Sequence, residues 1–161
     1  MNKTWLITGA FGCIGAWAVR LIHERGERVV GFDFGEDDRR ATDLLGPEAV
    51  RDIDWIRGDV TSPSDIREAL ESTGANHVVH LAGLQVPFCA ADPIRGAEVN
   101  VVGTLRVFEA VRDVGLPRVA YASSAAVFGP QSSEIVPDEL ALCDPTTLYG
   151  AYKVANESCA S

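Results

Sequence analysis

The sequence predicts an α/β protein, a doubly wound parallel sheet of about five strands with helices on both faces. Three observations carry that reading. Short apolar runs closed by Gly, Pro or Asp alternate with amphipathic segments along the chain, the signature of strand–helix–strand units. The runs are apolar on both faces, as strands covered from two sides must be. A glycine-rich turn joins the first strand directly to the first helix.

The elements follow in order. "TWLIT" (4–8) is the first strand and runs straight into "GAFGCIG". Ile14, Trp17, Ala18, Leu21 and Ile22 then recur at i, i+3, i+4, i+7 and i+8, which predicts one buried helix face, ended by Gly26. "RVVGFD" is the second strand, closing on Asp33, and "IDWIRGDV" the third. Ser62 is expected to cap a helix with Pro63 in its first turn, Asp65 at the capping-box position, a buried face of Ile66, Ala69 and Leu70, and a stop at Gly74. "HVVHLAG" is the fourth strand. Asp92-Pro93 opens a long helix over 93–114, ending near Gly115. "RVAYASS" is the fifth strand, and a final helix begins after Pro145 and runs over 147–161.

Composition narrows the function classes. The chain has 161 residues, 47% of them hydrophobic and 23% charged, which suits one soluble globular domain. A net charge of −9 argues against nucleic acid, which calls for a basic face. Cys13, Cys89, Cys143 and Cys159 are scattered, with no CxxC pair and no histidine at ligand spacing, so no metal is expected and the thiols read as reduced and cytoplasmic. Residues 4–19 are uncharged and carry a small-x-small triplet at Ala16–Ala18, as a secretory leader would, but Gly9, Gly12 and Gly15 interrupt the apolar run. Neither a leader nor a membrane partner is expected.

Those glycines have a better explanation. Gly9, Gly12 and Gly15 form G-x-x-G-x-x-G between a strand and a helix N-terminus. Gly9 permits the tight turn, Gly12 lets a pyrophosphate approach the backbone, and Gly15 lets helix and strand pack closely. The free N–H groups of the helix start, with Phe11, Cys13 and Ile14 in the same loop, would hold the phosphates. Asp33 ends the second strand eighteen residues after Gly15, where an acid suits the 2′-hydroxyl of NAD and repels a 2′-phosphate. Arg39 and Arg40 could serve NADP but lie well past the strand end. NAD is the expected cofactor.

At the other end, Tyr149 precedes Lys153 by four residues, so both share one helical face. A phenol titrates near ~10, so acting as a base near neutral pH requires roughly 4 kcal/mol of differential stabilisation. An ammonium one turn away favours the phenolate. On the same helix Leu148, Ala151, Tyr152, Ala155 and Cys159 form a stripe expected to pack on the sheet or a partner, which makes Tyr152 a packing residue. His80, inside an apolar strand, reads as a satisfied structural histidine.

Together these motifs resemble the extended short-chain dehydrogenase/reductase superfamily, in its NAD-dependent epimerase/dehydratase branch, from Lys3 to the end. Gly58-Asp59-Val60 matches the stretch that holds adenine, Leu81-Ala82-Gly83 the loop after strand four, and Asn100 in "NVVGT" the helix-four asparagine. "YASSAAVFG" matches the strand-five signature and Tyr149-x-x-x-Lys153 the catalytic pair. The resemblance implies that Asp59, Val60, Leu81 to Gly83, Asn100, Ala122 and Ser123 line the cofactor. It also implies that Ser124 binds the substrate oxygen, that Tyr149 is the acid/base, and that Lys153 also holds the nicotinamide ribose.

In the resembling dehydratases, Asp and Glu follow the strand-five position. Here Ala125-Ala126 follow Ser124 and cannot move a proton, leaving 4-epimerase-like chemistry or simple dehydrogenation or reduction. Sugar nucleotides are the substrates the family implies, and a homodimer through 93–114 and 147–161 is its usual assembly. A full doubly wound fold has about six strands, so residues 1–161 read as a dinucleotide-binding domain incomplete at its C-terminus, without a substrate domain. A non-catalytic NAD-binding module is the alternative.

Overall fold

The computed structural model describes residues 3–130 and 141–160; Ser161, the predicted end of the last helix, lies outside the described residues. The elements run β1 (Thr4–Thr8), α1 (Cys13–Glu24), β2 (Arg28–Asp33), α2 (Arg39–Leu45), α3 (Pro47–Arg51), β3 (Asp54–Arg57), α4 (Asp65–Thr73) and β4 (His77–His80). After β4 come α5 (Val86–Ala91), α6 (Pro93–Ala97), a π-helical segment (Glu98–Gly103), α7 (Thr104–Asp113), β5 (Ala120–Tyr121), a 3₁₀ turn (Ala125–Phe128) and α8 (Leu148–Cys159). All strand pairs are parallel and the order is β3-β2-β1-β4-β5. Among the described residues no helix is long and apolar enough to cross a membrane.

The chain divides into two compact units. One comprises Met1–Ala82 with Arg106–Tyr121, and the other Gly83–Leu105 with Ala122–Ser161. The first unit holds the sheet. Its core joins Ile7 and Ala10 from β1 and the turn after it, Val19 and Ile22 from α1, Val29 from β2 and Ile53 before β3. The second holds α5, α6, the π segment and α8.

Helix α1 corrects the sequence-derived face. Ile14, Trp17 and Leu21 point outward, 66%, 46% and 49% exposed, while Gly15, Ala16, Val19 and Ile22 are buried. The reason is backbone proximity. A Cβ on Gly15 would stand 2.0 Å from the Gly9 carbonyl oxygen, so the contact face must be the one with the smallest side chains. The apolar periodicity is real but one step around the helix from the surface that packs.

Helix α8 departs in the same way. Its buried residues are Gly150, Lys153 and Asn156, whereas Leu148, Ala151 and Cys159 of the predicted stripe are exposed and only Tyr152 and Ala155 are half-buried. Polar groups can face inward because they are hydrogen-bonded there. The Tyr152 hydroxyl donates to the Pro93 carbonyl at 2.8 Å, in keeping with a packing role.

Other boundaries shift. Helix α4 begins at Asp65, with Ser64 at the N-cap and no side-chain cap; Ser62 instead hydrogen-bonds the Asp65 carboxylate. The fourth strand stops at His80, and the fifth spans only Ala120–Tyr121, so Ser124 caps the 3₁₀ turn and accepts from Ala126 N. Helices α2, α3 and α5 have no counterpart in the sequence reading; each has five to seven residues, too short for a helical period to stand out.

Candidate active site

The first unit holds the glycine turn and Asp33, the residues from which the sequence predicts a nucleotide cradle. Gly9 adopts φ +71°, and a Cβ there would lie 2.6 Å from Ala82 N, so the turn out of β1 demands glycine on both counts. Its N–H donates to the Phe32 carbonyl at 2.9 Å, and Gly12 N donates to Gly9 O at 3.0 Å. Helix α1 starts after Gly12, and no side chain caps it, which leaves first-turn N–H groups and the positive helix end for an anion. Cys13 and Ile14 are exposed on that turn.

Asp33 closes the cradle. One carboxylate oxygen accepts Phe11 N at 2.9 Å and the other accepts Gly35 N at 2.9 Å. A carboxylate has about four acceptor positions, so these two bonds leave about two unused. Phe11 stacks on Trp55 with centroids 4.8 Å apart, which anchors the loop from its other side. Asp59 spends one oxygen on Thr61 N and Oγ1, both at 2.8 Å, and Val60 is buried in the core. The Asp59 backbone is engaged as well, its N–H donating to Asp65 Oδ2 at 2.9 Å and its carbonyl accepting from Ser62 N at 2.9 Å.

Beneath the cradle Thr8 ties β1 to β4. Its hydroxyl oxygen accepts from Leu81 N at 3.2 Å and Ala82 N at 3.3 Å, and lies 2.6 Å from His80 Nδ1. With both lone pairs engaged, the hydroxyl proton goes to Nδ1. His80 is fully buried and thus structural, as its strand position implied.

The second unit carries Tyr149 and Lys153, the pair that the sequence singles out. Thr147 caps α8 by accepting from Gly150 N, which sets Tyr149 in the first turn and Lys153 one turn on. Lys153 is only 8% exposed; its Nζ donates to the Ala122 carbonyl at 2.7 Å and stands 5.6 Å from the centre of the Tyr149 ring. Burial pushes its pKa down, with the nearby Cys89 opposing the shift. Ser123 hydrogen-bonds Glu157, one turn beyond Lys153.

Asn100 is 2% exposed. Its amide accepts from Leu84 N at 2.7 Å and donates to Leu84 O at 2.8 Å and to Cys89 Sγ at 3.4 Å. That side chain holds the Gly83–Leu84 loop, and Gly83 lies against it. The Asn100 carbonyl, in the π segment, accepts from Thr104 Oγ1 at 2.8 Å and from Asn156 Nδ2 at 2.6 Å. Asn156, fully buried, escapes the sequence reading. The available signal is Gly150, Lys153 and Asn156 at spacing three, a small-and-polar face beside the apolar stripe.

Comparison with known proteins decides the family. The profile of the NAD dependent epimerase/dehydratase family matches residues 5–161. The chain belongs to that family. Among curated members, D-erythronate dehydrogenase of Cupriavidus necator is 33% identical over 94% of this chain and 48% of its own. UDP-glucose 4-epimerase of Mycolicibacterium smegmatis is 32% identical over 94% and 48%. The crystal structure of UDP-glucose 4-epimerase from Thermus thermophilus in complex with NAD superposes with a TM-score of 0.86 at 27% identity, covering 98% of this chain and 49% of that one. The chain thus spans about half the length of these members of the epimerase/dehydratase family.

Proposed function

We propose that the chain forms the NAD-binding and proton-transfer portion of an epimerase- or dehydrogenase-type oxidoreductase, acting on a sugar nucleotide or a related hydroxyl or carbonyl compound. The observation that carries the reading is Lys153, a buried ammonium 5.6 Å from the Tyr149 ring. An isolated surface i,i+4 pair would leave its lysine in water. Bound NAD would supply the hydride-transfer chemistry that either reaction needs.

The chain's residues would supply the rest. The glycine turn and the uncapped start of α1 bind the pyrophosphate, and Asp33 takes the ribose hydroxyls. Tyr149 removes the proton of the substrate hydroxyl at its phenolic oxygen, and Lys153 stabilises the phenolate by charge. Ser124 hydrogen-bonds the same substrate oxygen. Ala125 and Ala126 move no proton, which supports epimerisation or dehydrogenation over loss of water. UDP-glucose 4-epimerases and a D-erythronate dehydrogenase both stand among the relatives, so the substrate class spans nucleotide sugars and sugar acids. Exposed Ile94, Val102 and Leu148 on α6, the π segment and α8 support a homodimer through these helices.

The test pairs calorimetric titration of NAD with turnover assays on UDP-glucose, UDP-galactose and D-erythronate. Binding with turnover supports the proposal. Binding without turnover favours an NAD-binding module, and the absence of binding refutes both readings.

A further inference from the structure

Arg39 and Arg40 look equivalent in sequence, but the fold separates them. Arg39 is spent on Asp37, with Nε at 2.8 Å and Nη2 at 2.6 Å from its two carboxylate oxygens. That pair holds Asp37 well below the usual carboxylate range, at about 2. Arg40, one residue further into α2, folds back on the dinucleotide loop, where Nη1 donates to the Phe11 carbonyl at 3.2 Å. The N–H of the same Phe11 donates to Asp33 at 2.9 Å. The cation and the carboxylate are therefore tied to opposite ends of one residue's backbone, although they lie seven positions apart in sequence. Distance along the chain past the end of β2 counts against Arg40 in the sequence. The turn before α2 removes that distance.

This arrangement bears on the adenosine end of the cofactor and rests on the NAD-binding reading above. NADP differs from NAD by a phosphate on the 2′-oxygen of the adenosine ribose, the oxygen an acid at the end of β2 would otherwise meet. Asp33 repels that phosphate. Arg40 opposes the repulsion with a guanidinium that spends one N–H on Phe11 and has four others in a planar fork suited to phosphate oxygens. Among the described residues Arg40 makes no ion pair within 4 Å, and its charge adds only the last of the pulls that Asp37 feels, behind those of Arg39. Arg57, the nearest candidate on β3, is bound to Glu36. We propose that Arg40 makes the cradle tolerant of a 2′-phosphate, so that this chain binds NADP as well as NAD.

The experiment is calorimetric titration of the 161-residue chain with NAD and separately with NADP. Wild type, Arg40→Met and Asp33→Asn are compared at two salt concentrations. The expected result is that wild type binds both dinucleotides, with NADP the more salt-sensitive. Arg40→Met should then shift the NADP-to-NAD affinity ratio against NADP by about tenfold or more, the value of one charge-assisted hydrogen bond. Asp33→Asn should shift the same ratio toward NADP, which shows that a folded cradle is being read. If wild type binds NAD but not NADP, the proposal is overturned while the NAD reading stands. If Arg40→Met weakens both dinucleotides by the same factor, Arg40 only braces Phe11 and the proposal is again overturned. If wild type binds neither, the NAD reading fails and this inference with it.

Discussion

Replacing Gly9 by alanine tests the cradle most directly, because the structure supplies its control. Gly9 and Gly26 have nearly the same positive φ, +71° and +69°, but a Cβ on Gly26 would meet nothing within 4 Å. On Gly9 it would stand 2.6 Å from Ala82 N, 2.8 Å from Ala82 Cα and 2.8 Å from the Leu81 carbonyl carbon. All three are backbone atoms and none can swing away. A left-handed non-glycine residue costs about 1–2 kcal/mol, and the stiffer unfolded chain returns about 0.4–1 kcal/mol. Gly26→Ala should therefore cost ~1 kcal/mol. Gly9→Ala adds an overpacking cost of about 1–3 kcal/mol, for a total of ~2–4 kcal/mol. Thermal and urea unfolding of both variants measure the difference, with ~2–4 °C of Tm expected per kcal/mol. The displaced turn should also weaken NAD in Gly9→Ala alone. Equal losses in the two variants would refute the claim that close approach of β1 and the loop after β4 dictates this glycine.

The remaining predictions concern the second unit. Tyr149→Phe should lower turnover by about 10²-fold or more while the calorimetric NAD affinity stays near wild type; surviving activity would remove Tyr149 as the acid/base. Burial lowers the Lys153 pKa relative to about 10.4 for an unfolded lysine. Between those two values the unfolded chain binds more protons, so stability rises with pH there. The wild type should accordingly gain on Lys153→Met as pH is raised from about 7 toward about 10, read from urea midpoints, and a flat difference would contradict desolvation of the ammonium. Light scattering at micromolar concentration should report a homodimer that Ile94→Glu dissociates; a monomeric wild type would dismiss that assembly.

Much of the fold is legible because parallel strands, buried on both sides, write themselves as short apolar runs. All five sit where the runs are, and the glycine turn between β1 and α1 announces the cradle. Shared helical spacing likewise puts Tyr149 and Lys153 on one face of α8. Packing is not legible from apolar periodicity. On α1 and α8 the helix presents small or hydrogen-bonded residues where backbones come closest, so Gly15, Gly150, Lys153 and Asn156 lie inside while Trp17, Leu21 and Leu148 lie outside. Short helices such as α2 carry too few residues for a period.

The sequence by itself determined the parallel α/β class, the positions of its strands and the dinucleotide turn, since these depend on local pattern and on where glycine is sterically required. Only the tertiary structure decided that Thr8 binds His80 beneath the cradle, that Asn100 ties down the Leu84 loop and that Arg40 returns to Phe11. Each is a contact between residues far apart along the chain. Chain folding creates such contacts, and no local propensity encodes them.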